Sequence, residues 1–400
     1  MSLRISTARA TEAGIEALQK RQVQLTEAQE RLTTGKRVAR ASDDPAAAAR
    51  AERALAGEMR AATSQRAVDA SRTAMSLSET AMGDAIELLQ QVRETLVAAG
   101  NGSYSDQERL QLSEKLRGLR EQLLGVANRS DGAGTFLFGG QGASTMPFID
   151  APGGVAYQGV GGALRTERGT DLPLTVDGDA VFMTARTGNG VYLTRAGAGV
   201  TGAWIDNGQV SDPAALTGST YTLQFSVAAG ATTYAVLRDG APTAVTAAPY
   251  ASGKDITVDG MSLRINGAPA NGDTFTVEPS TSTLSVFDTL DRAVAELGTA
   301  GRSNAQVAQS SMDALRDIDQ SMAKVQGARS LAGEMLARID GETARLADQK
   351  LANQIERSNA EDLDMTEAIS KFQNMQTGYD AALKSYSMVQ RLSLFQYLNT

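Results

Sequence analysis

Residues 365–386 read MTEAISKFQNMQTGYDAALKSY, and the spacing of their apolar members decides how the whole chain is organised. Met365, Ile369, Phe372, Tyr379, Leu383 and Tyr386 step by 4, 3, 7, 4 and 3, which is the seam of a heptad repeat. Beyond them Val389, Leu392, Phe395 and Leu398 step by threes and widen the stripe. Phe372, Tyr379, Tyr386, Phe395 and Tyr397 are five of the 18 Phe and Tyr residues in the chain, so aromatic surface is concentrated in this tail. A matching stripe lies at the other end, where Ile15, Leu18, Leu25 and Leu32 fall on one helical face. Two ends that each carry half of a coiled coil point to assembly rather than catalysis.

Between the ends the composition changes twice. Residues 131–285 hold 25 of the 39 glycines and 8 of the 9 prolines, Pro45 being the exception. Helix breakers are thus confined to the middle, and both flanks read as long helices. The first helix, starting at Ser6 or Thr11, closes at Thr34-Gly35 with the glycine as C′ residue. After the connector 36–43, which carries Lys36, Arg37, Arg40 and Asp43, Asp44-Pro45 restarts a helix, the aspartate capping and the proline at the first position. Met75, Met82, Ile86, Leu89 and Leu96 keep heptad spacing up to the turn Gly100-Asn101-Gly102. Ser105 to Glu108 is a capping box opening a third helix with Leu112, Leu116, Leu119, Leu123 and Val126. Helices resume near Ser285, first as a short one and then as a long one over 303–359, and continue to Leu398.

The middle predicts strands. The runs at 155–157, 172–176, 220–227, 233–237, 255–258, 262–265 and 274–277 are β-rich, and turns such as Asp239-Gly240, Asp259-Gly260 and Asn266-Gly267 separate them. The expected class is therefore α+β: a long-helix coiled-coil bundle built from both flanks, with an inserted central β domain. The expected divisions are an assembly segment 1–44 pairing with 355–400, bundle halves 45–135 and 286–354, and a β-rich insert 136–285. That insert is one body or two small subdomains divided near 185–215.

Composition also narrows function. There is no cysteine and no histidine, which removes disulfides, thiolate nucleophiles, the usual zinc ligands and the commonest general base. The expectation is no enzyme, no catalytic residue, no cofactor and no metal. A net charge of -8 argues against nucleic acid, and no apolar run is long enough to insert in a membrane. Asp177-Gly-Asp179, Asp206-Asn207-Gly208 and Asp259-Gly260 fit turn chemistry better than a calcium loop. No secretory leader is readable at the N-terminus, so the residues alone predict a cytoplasmic protein unless a route without a leader exists.

Three stretches then point to a family. Gln29 to Val38 (QERLTTGKRV) followed by Ala41 to Pro45 (ASDDP), Ser130 to Gly140 (SDGAGTFLFGG), and Leu172 to Phe182 (LPLTVDGDAVF) resemble the flagellin superfamily. The Ser-Asp-Asp-Pro form and the Phe-Leu-Phe-Gly-Gly exit are more similar to its hook–filament junction branch than to flagellin itself. The resemblance runs in order along the chain and is least diagnostic over 184–285. It implies a structural adaptor of the bacterial flagellum, exported by the type III apparatus without a cleaved signal and located outside the cell. It implies hook-associated protein 1 and flagellin as partners, self-association into a ring, and an export chaperone on the C-terminal helix. The assembly surface would comprise Ile15, Leu18, Leu25, Leu32, Ile369, Phe372, Tyr379, Leu383, Tyr386, Val389, Leu392, Phe395 and Leu398, with Gly35, Asp43, Asp44 and Pro45 as hinge and caps. The terminal segments are expected to order fully only on assembly. Alternatives are flagellin, or a secreted adhesin binding glycans through the β insert.

Overall fold

The computed structural model describes residues 2–166 and 171–398, with side-chain surroundings described for residues 9, 12–166 and 171–388. Seven α-helices and twelve short strands are found there, the helices flanking an antiparallel β region. The expected α+β class is what forms. The chain divides into two compact units, Met1–Arg66 with Glu342–Thr400, and Ala67–Gly341.

The unit Ala67–Gly341 holds most of α2 (Pro45–Ala99) and α6 (Asn304–Glu361), with α3 (Asp106–Ala127) and α5 (Val286–Gly298). The heptad positions Met82, Leu89, Leu96, Leu116 and Leu123 are all buried, together with Leu290, Ile318 and Val325. The capping box at Ser105 forms: its hydroxyl accepts from the Glu108 amide, and the Glu108 carboxylate accepts from the Ser105 amide. The closest helical neighbour of α3 is α5, not α2, the helix it follows through a tight turn. Arg120 on α3 bridges to Asp150 (2.8 Å) and Asp291 (2.9 Å), tying α3, the first strand and α5 together. That guanidinium holds the Asp150 carboxyl below its usual range.

Where α3 ends, Phe138, Phe148, Phe182 and Phe287 close the bundle core, with Phe138 and Phe148 each edge-on to Phe182 at 5.2 and 5.6 Å. The sequence Phe-Leu-Phe-Gly-Gly folds back into this core because Gly140 has φ +62°, and any Cβ there would meet the Val160 carbonyl. The hairpin of β1 (Phe148–Ala151) and β2 (Gly154–Tyr157) packs on the same cluster, as does the short α4 (Gly178–Phe182). Residues 172–176, expected as a strand, form only an isolated bridge between Arg165 and Pro173. Pro173 has no N–H for a ladder, and the Leu174 and Val176 amides bond singly to Leu164 and Leu137.

The remaining strands make a separate core. β3 (Tyr192–Ala196), β12 (Thr274–Pro279), β6 (Tyr221–Ala228), β7 (Ala231–Arg238) and β8 (Ala241–Pro242) pair antiparallel in that order, and β9 (Ala248–Pro249) also pairs β7. A second sheet orders β10 (Asp255–Val258), β11 (Met261–Gly267) and β4 (Ala203–Ile205), with β5 (Gln209–Val210) also on β11. Strict alternation places Tyr221, Leu223 and Phe225 inside and Gln224 and Ser226 outside. Asn266-Gly267, expected as a turn, instead ends β11, where Asn266 pairs with Trp204. Thr187 pairs with Thr281, and the Ser280 amide donates to Val191, so this β module enters and leaves on adjacent strands. Its seam with the bundle is polar. Arg316, nearly buried, pairs with Asp313 (2.7 Å) and Asp317 (2.9 Å) and reaches the Thr194 carbonyl. Gln309 accepts from the Ile205 amide, and Ser303 donates to the Thr201 carbonyl.

Candidate assembly interface

The unit Met1–Arg66 with Glu342–Thr400 contains the two terminal helices, α1 (Ser2–Thr34) and α7 (Met365–Leu398). From Ile15 to Thr34 there is no glycine or proline, and Ala, Glu, Gln and Leu dominate, so the helix propagates freely. It stops at Gly35, whose φ of +69° suits a residue without Cβ and whose amide donates to the Arg31 carbonyl at 2.9 Å. α7 opens on a cap not singled out from sequence: Asp364 accepts from the Thr366 and Glu367 amides at 3.0 and 3.1 Å. The pattern Asp364-Met-Thr-Glu367 was the available signal.

The connector after Gly35 is bonded to the break between α6 and α7. The Leu363 amide donates to the Gly35 carbonyl (2.9 Å), and the Arg37 and Val38 amides both donate to the Glu361 carbonyl. The Arg37 guanidinium reaches the Ala360 carbonyl at 2.7 Å, and Lys36 pairs with Glu361 at 3.1 Å. Val38 and Ala360 are the buried apolar residues of this joint. Asp43 accepts from the Arg40 and Ala39 amides, bonds that hold its carboxyl below the ordinary range. Asp44 accepts from the Ala47 amide at 3.0 Å, with Pro45 as the first residue of α2, and its carboxyl too is lowered, chiefly by that bond.

α1 and α7 pack against each other antiparallel. Gly14 lies against the Tyr386 ring, Arg21 donates to the Gly378 carbonyl at 3.0 Å, and Gly35 meets Leu363, one register from end to end. A Cβ at Gly378 would stand 2.8 Å from the Arg21 guanidinium, so the glycine admits that contact. Leu18, Leu25, Leu32, Phe372, Tyr379 and Tyr386 are half-buried along this pair. Ile15 (42% exposed), Ile369 (45%) and Leu383 (42%) are not covered, nor are Val23, Met365 and Met375. The side chains of Val389, Leu392, Phe395 and Leu398 lie outside the described residues. Among the described residues, no side chain of α1 or α7 is fully buried. The pair thus has a seam but no closed core, unlike the bundle core around Leu89 and Leu116.

The acidic turns noted in the sequence are spent locally. Asp177 caps α4 by accepting from the Asp179 and Ala180 amides, and Asp206 accepts from Gly208 and Arg264. Among the described residues no three His, Cys, Asp or Glu side chains are grouped to hold a metal ion, and no helix is long and apolar enough to cross a membrane.

Comparison with known proteins follows the same layout. The bacterial flagellin N-terminal helical region matches residues 5–143 and the bacterial flagellin C-terminal helical region matches 315–398. The segment 197–279 matches the D2-like domain of flagellar hook-associated protein 1. Flagellar hook-associated protein 3 of Salmonella typhimurium is 26% identical over 398 residues, 98% of this chain and 99% of its own length. The crystal structure of FlgL from Xanthomonas campestris is 30% identical, with TM-score 0.69, covering 77% of this chain and 99% of that one. The flagellar junction protein FlgL from Legionella pneumophila is 27% identical, with TM-score 0.64, covering 69% and 94%.

Proposed function

The chain belongs to the flagellar hook-associated protein 3 (FlgL) family, and we propose that its two terminal helices are the surfaces through which it does its work. It is a structural component of the bacterial flagellar hook–filament junction. The observation that carries the reading is the paired but only partly covered heptad stripe on α1 and α7, with Ile15, Ile369 and Leu383 left exposed. Apolar positions at heptad spacing gain stability only when other helices cover them. We infer that copies of this chain supply part of that cover as a ring, with hook-associated protein 1 on one side and flagellin on the other. Before assembly an export chaperone covers the amphipathic α7. The route out is type III export without a cleaved signal, and the working location is extracellular. The role is geometric and not catalytic. The joint at Gly35, Asp43, Asp44 and Pro45 sets how the terminal pair leaves α2 and α6 within its unit.

Filament subunits share the helical flanks, and the flagellin regions matched here are confined to 5–143 and 315–398. Deleting the gene and imaging cells by electron microscopy tests the junction role. Hooks without filaments, with flagellin shed into the medium, are expected; normal filaments would overturn it. Purified chain that grows by itself into long filaments would identify a filament subunit instead.

A further inference from the structure

The chain contains five Asn-Gly pairs, at 101–102, 189–190, 207–208, 266–267 and 271–272. In four of them the glycine amide is already engaged. Gly190 donates to Thr187, Gly208 to Asp206, Gly267 to Ser252 and Gly272 to Phe225, over 2.8–3.3 Å. Asn189 is further held on both sides of its amide, accepting from Val191 and Tyr192 and donating to Asn207. Asn207 accepts from Arg316, and Asn271 accepts from Val227.

The pair in the α2–α3 turn differs. Asn101 and Gly102 are exposed, the Gly102 amide has no partner among the described residues, and nothing lies within 4 Å of where its Cβ would be. The Ser103 amide donates to Asn101 Oδ1 at 3.0 Å, which polarises the side-chain carbonyl and stands ready to stabilise negative charge on that oxygen.

We propose that Asn101 is a self-modification site, at which the side-chain amide is lost through a cyclic imide formed with its own backbone. The Gly102 nitrogen gives up its proton and attacks Asn101 Cγ, forming a C–N bond. The Cγ–Nδ2 bond then breaks, and ammonia leaves with the proton. Water opens the ring at either carbonyl, leaving an aspartyl or isoaspartyl linkage at position 101. No oxidation state changes, and water is the only co-reactant. The new carboxylate sits just beyond the C-terminal end of α2, beside the negative pole of that helix, and the isoaspartyl form adds one carbon to the backbone of the turn. The modification therefore loosens the α2–α3 turn with age.

Peptide mapping by mass spectrometry of the full chain, incubated at 37 °C at mildly acidic and mildly alkaline pH, tests this. Amide-to-acid conversion should build up at Asn101 well ahead of the other four sites, and faster at the higher pH, because the attacking nitrogen must lose its proton. Gly102→Ala should slow it on the order of tenfold, a barrier rise of about 1.4 kcal/mol. Asn101→Gln should abolish conversion at that position. Unfolded in urea, the chain should convert all five sites at comparable rates. Conversion at another Asn-Gly pair as fast as at Asn101 in the folded chain would overturn the proposal, as would the same ranking of sites in urea and in buffer.

Discussion

Ala229 is a residue held in a conformation that its side chain resists. The β6–β7 hairpin closes through Ala229 and Gly230, both at positive φ (52° and 78°), the geometry of a tight hairpin turn that favours Asn-Gly. Replacing Ala229 by Asn should stabilise the β module by about 1 kcal/mol, the cost of a left-handed alanine, read as a shift in its denaturation midpoint. Glu296 carries the opposite kind of cost: burial pushes its carboxyl up, only partly countered by Arg302 and Arg292. Because its folded pKa lies above its unfolded one, the folded state favours the proton, and this group's contribution to stability improves as pH falls through the raised value. Glu296→Gln should therefore unfold at a higher temperature than the parent at pH 7, and the gap should close as pH drops below the ordinary glutamate range. At this scale the capping box at Ser105 was legible, since its partners lie three residues apart. The Arg316–Asp313–Asp317 seam was not, because its meaning depends on Thr194 on β3 and Asn207 in the β4–β5 loop, both more than a hundred residues away.

Among elements, the helices were the most readable. Heptad spacing from Met75 to Leu96 and from Leu112 to Val126 predicts helices that appear as α2 and α3, because a period of three and four residues has one regular solution. The packing partner of α3 was hidden: short turns suggest neighbours in sequence, whereas α3 packs on α5 through the apolar core shared by Leu116, Leu290 and Leu297, with Arg120–Asp291 beside it. Residues 172–176 misled because β-rich composition does not reveal that Pro173 and single hydrogen bonds leave no ladder. For α1 and α7, hydrogen exchange on free chain should show weak protection over Leu18–Leu32 and Ile369–Leu383, rising on assembly. Strong protection in the monomer would mean that the pair is stable without neighbours. Gly35→Val should weaken the joint by about 1–2 kcal/mol, because a β-branched residue is forced to positive φ. It should make the α1 amides exchange faster still.

For the molecule as a whole, the Gly and Pro distribution announced an inserted β region, and the antiparallel sheets bear out that class. What composition could not show is that residues 136–182 join the helical core through Phe138, Phe148 and Phe182, which meet Phe287 of α5, while 192–277 close on a core of their own. Both stretches carry turn-forming residues, and long-range packing is what separates them. Because Val191 and Ser280 are hydrogen-bonded neighbours, replacing residues 192–279 by a short Gly-Ser link should leave the helical signal in circular dichroism and a cooperative bundle transition intact. Aggregation or loss of helicity would show that the polar seam at Arg316 is needed for the bundle itself. The antiparallel register of α1 and α7 has a consequence in time as well as in space. Arg21 meets Gly378, which lies 357 positions further along the chain, so a chain delivered from its N-terminus onward presents α1 long before its mate exists. The α1–α7 pair completes itself only when delivery is nearly over, and a chain cut short before α7 never acquires it. Sequence distance thus sets the order in which the two halves of the pair arrive.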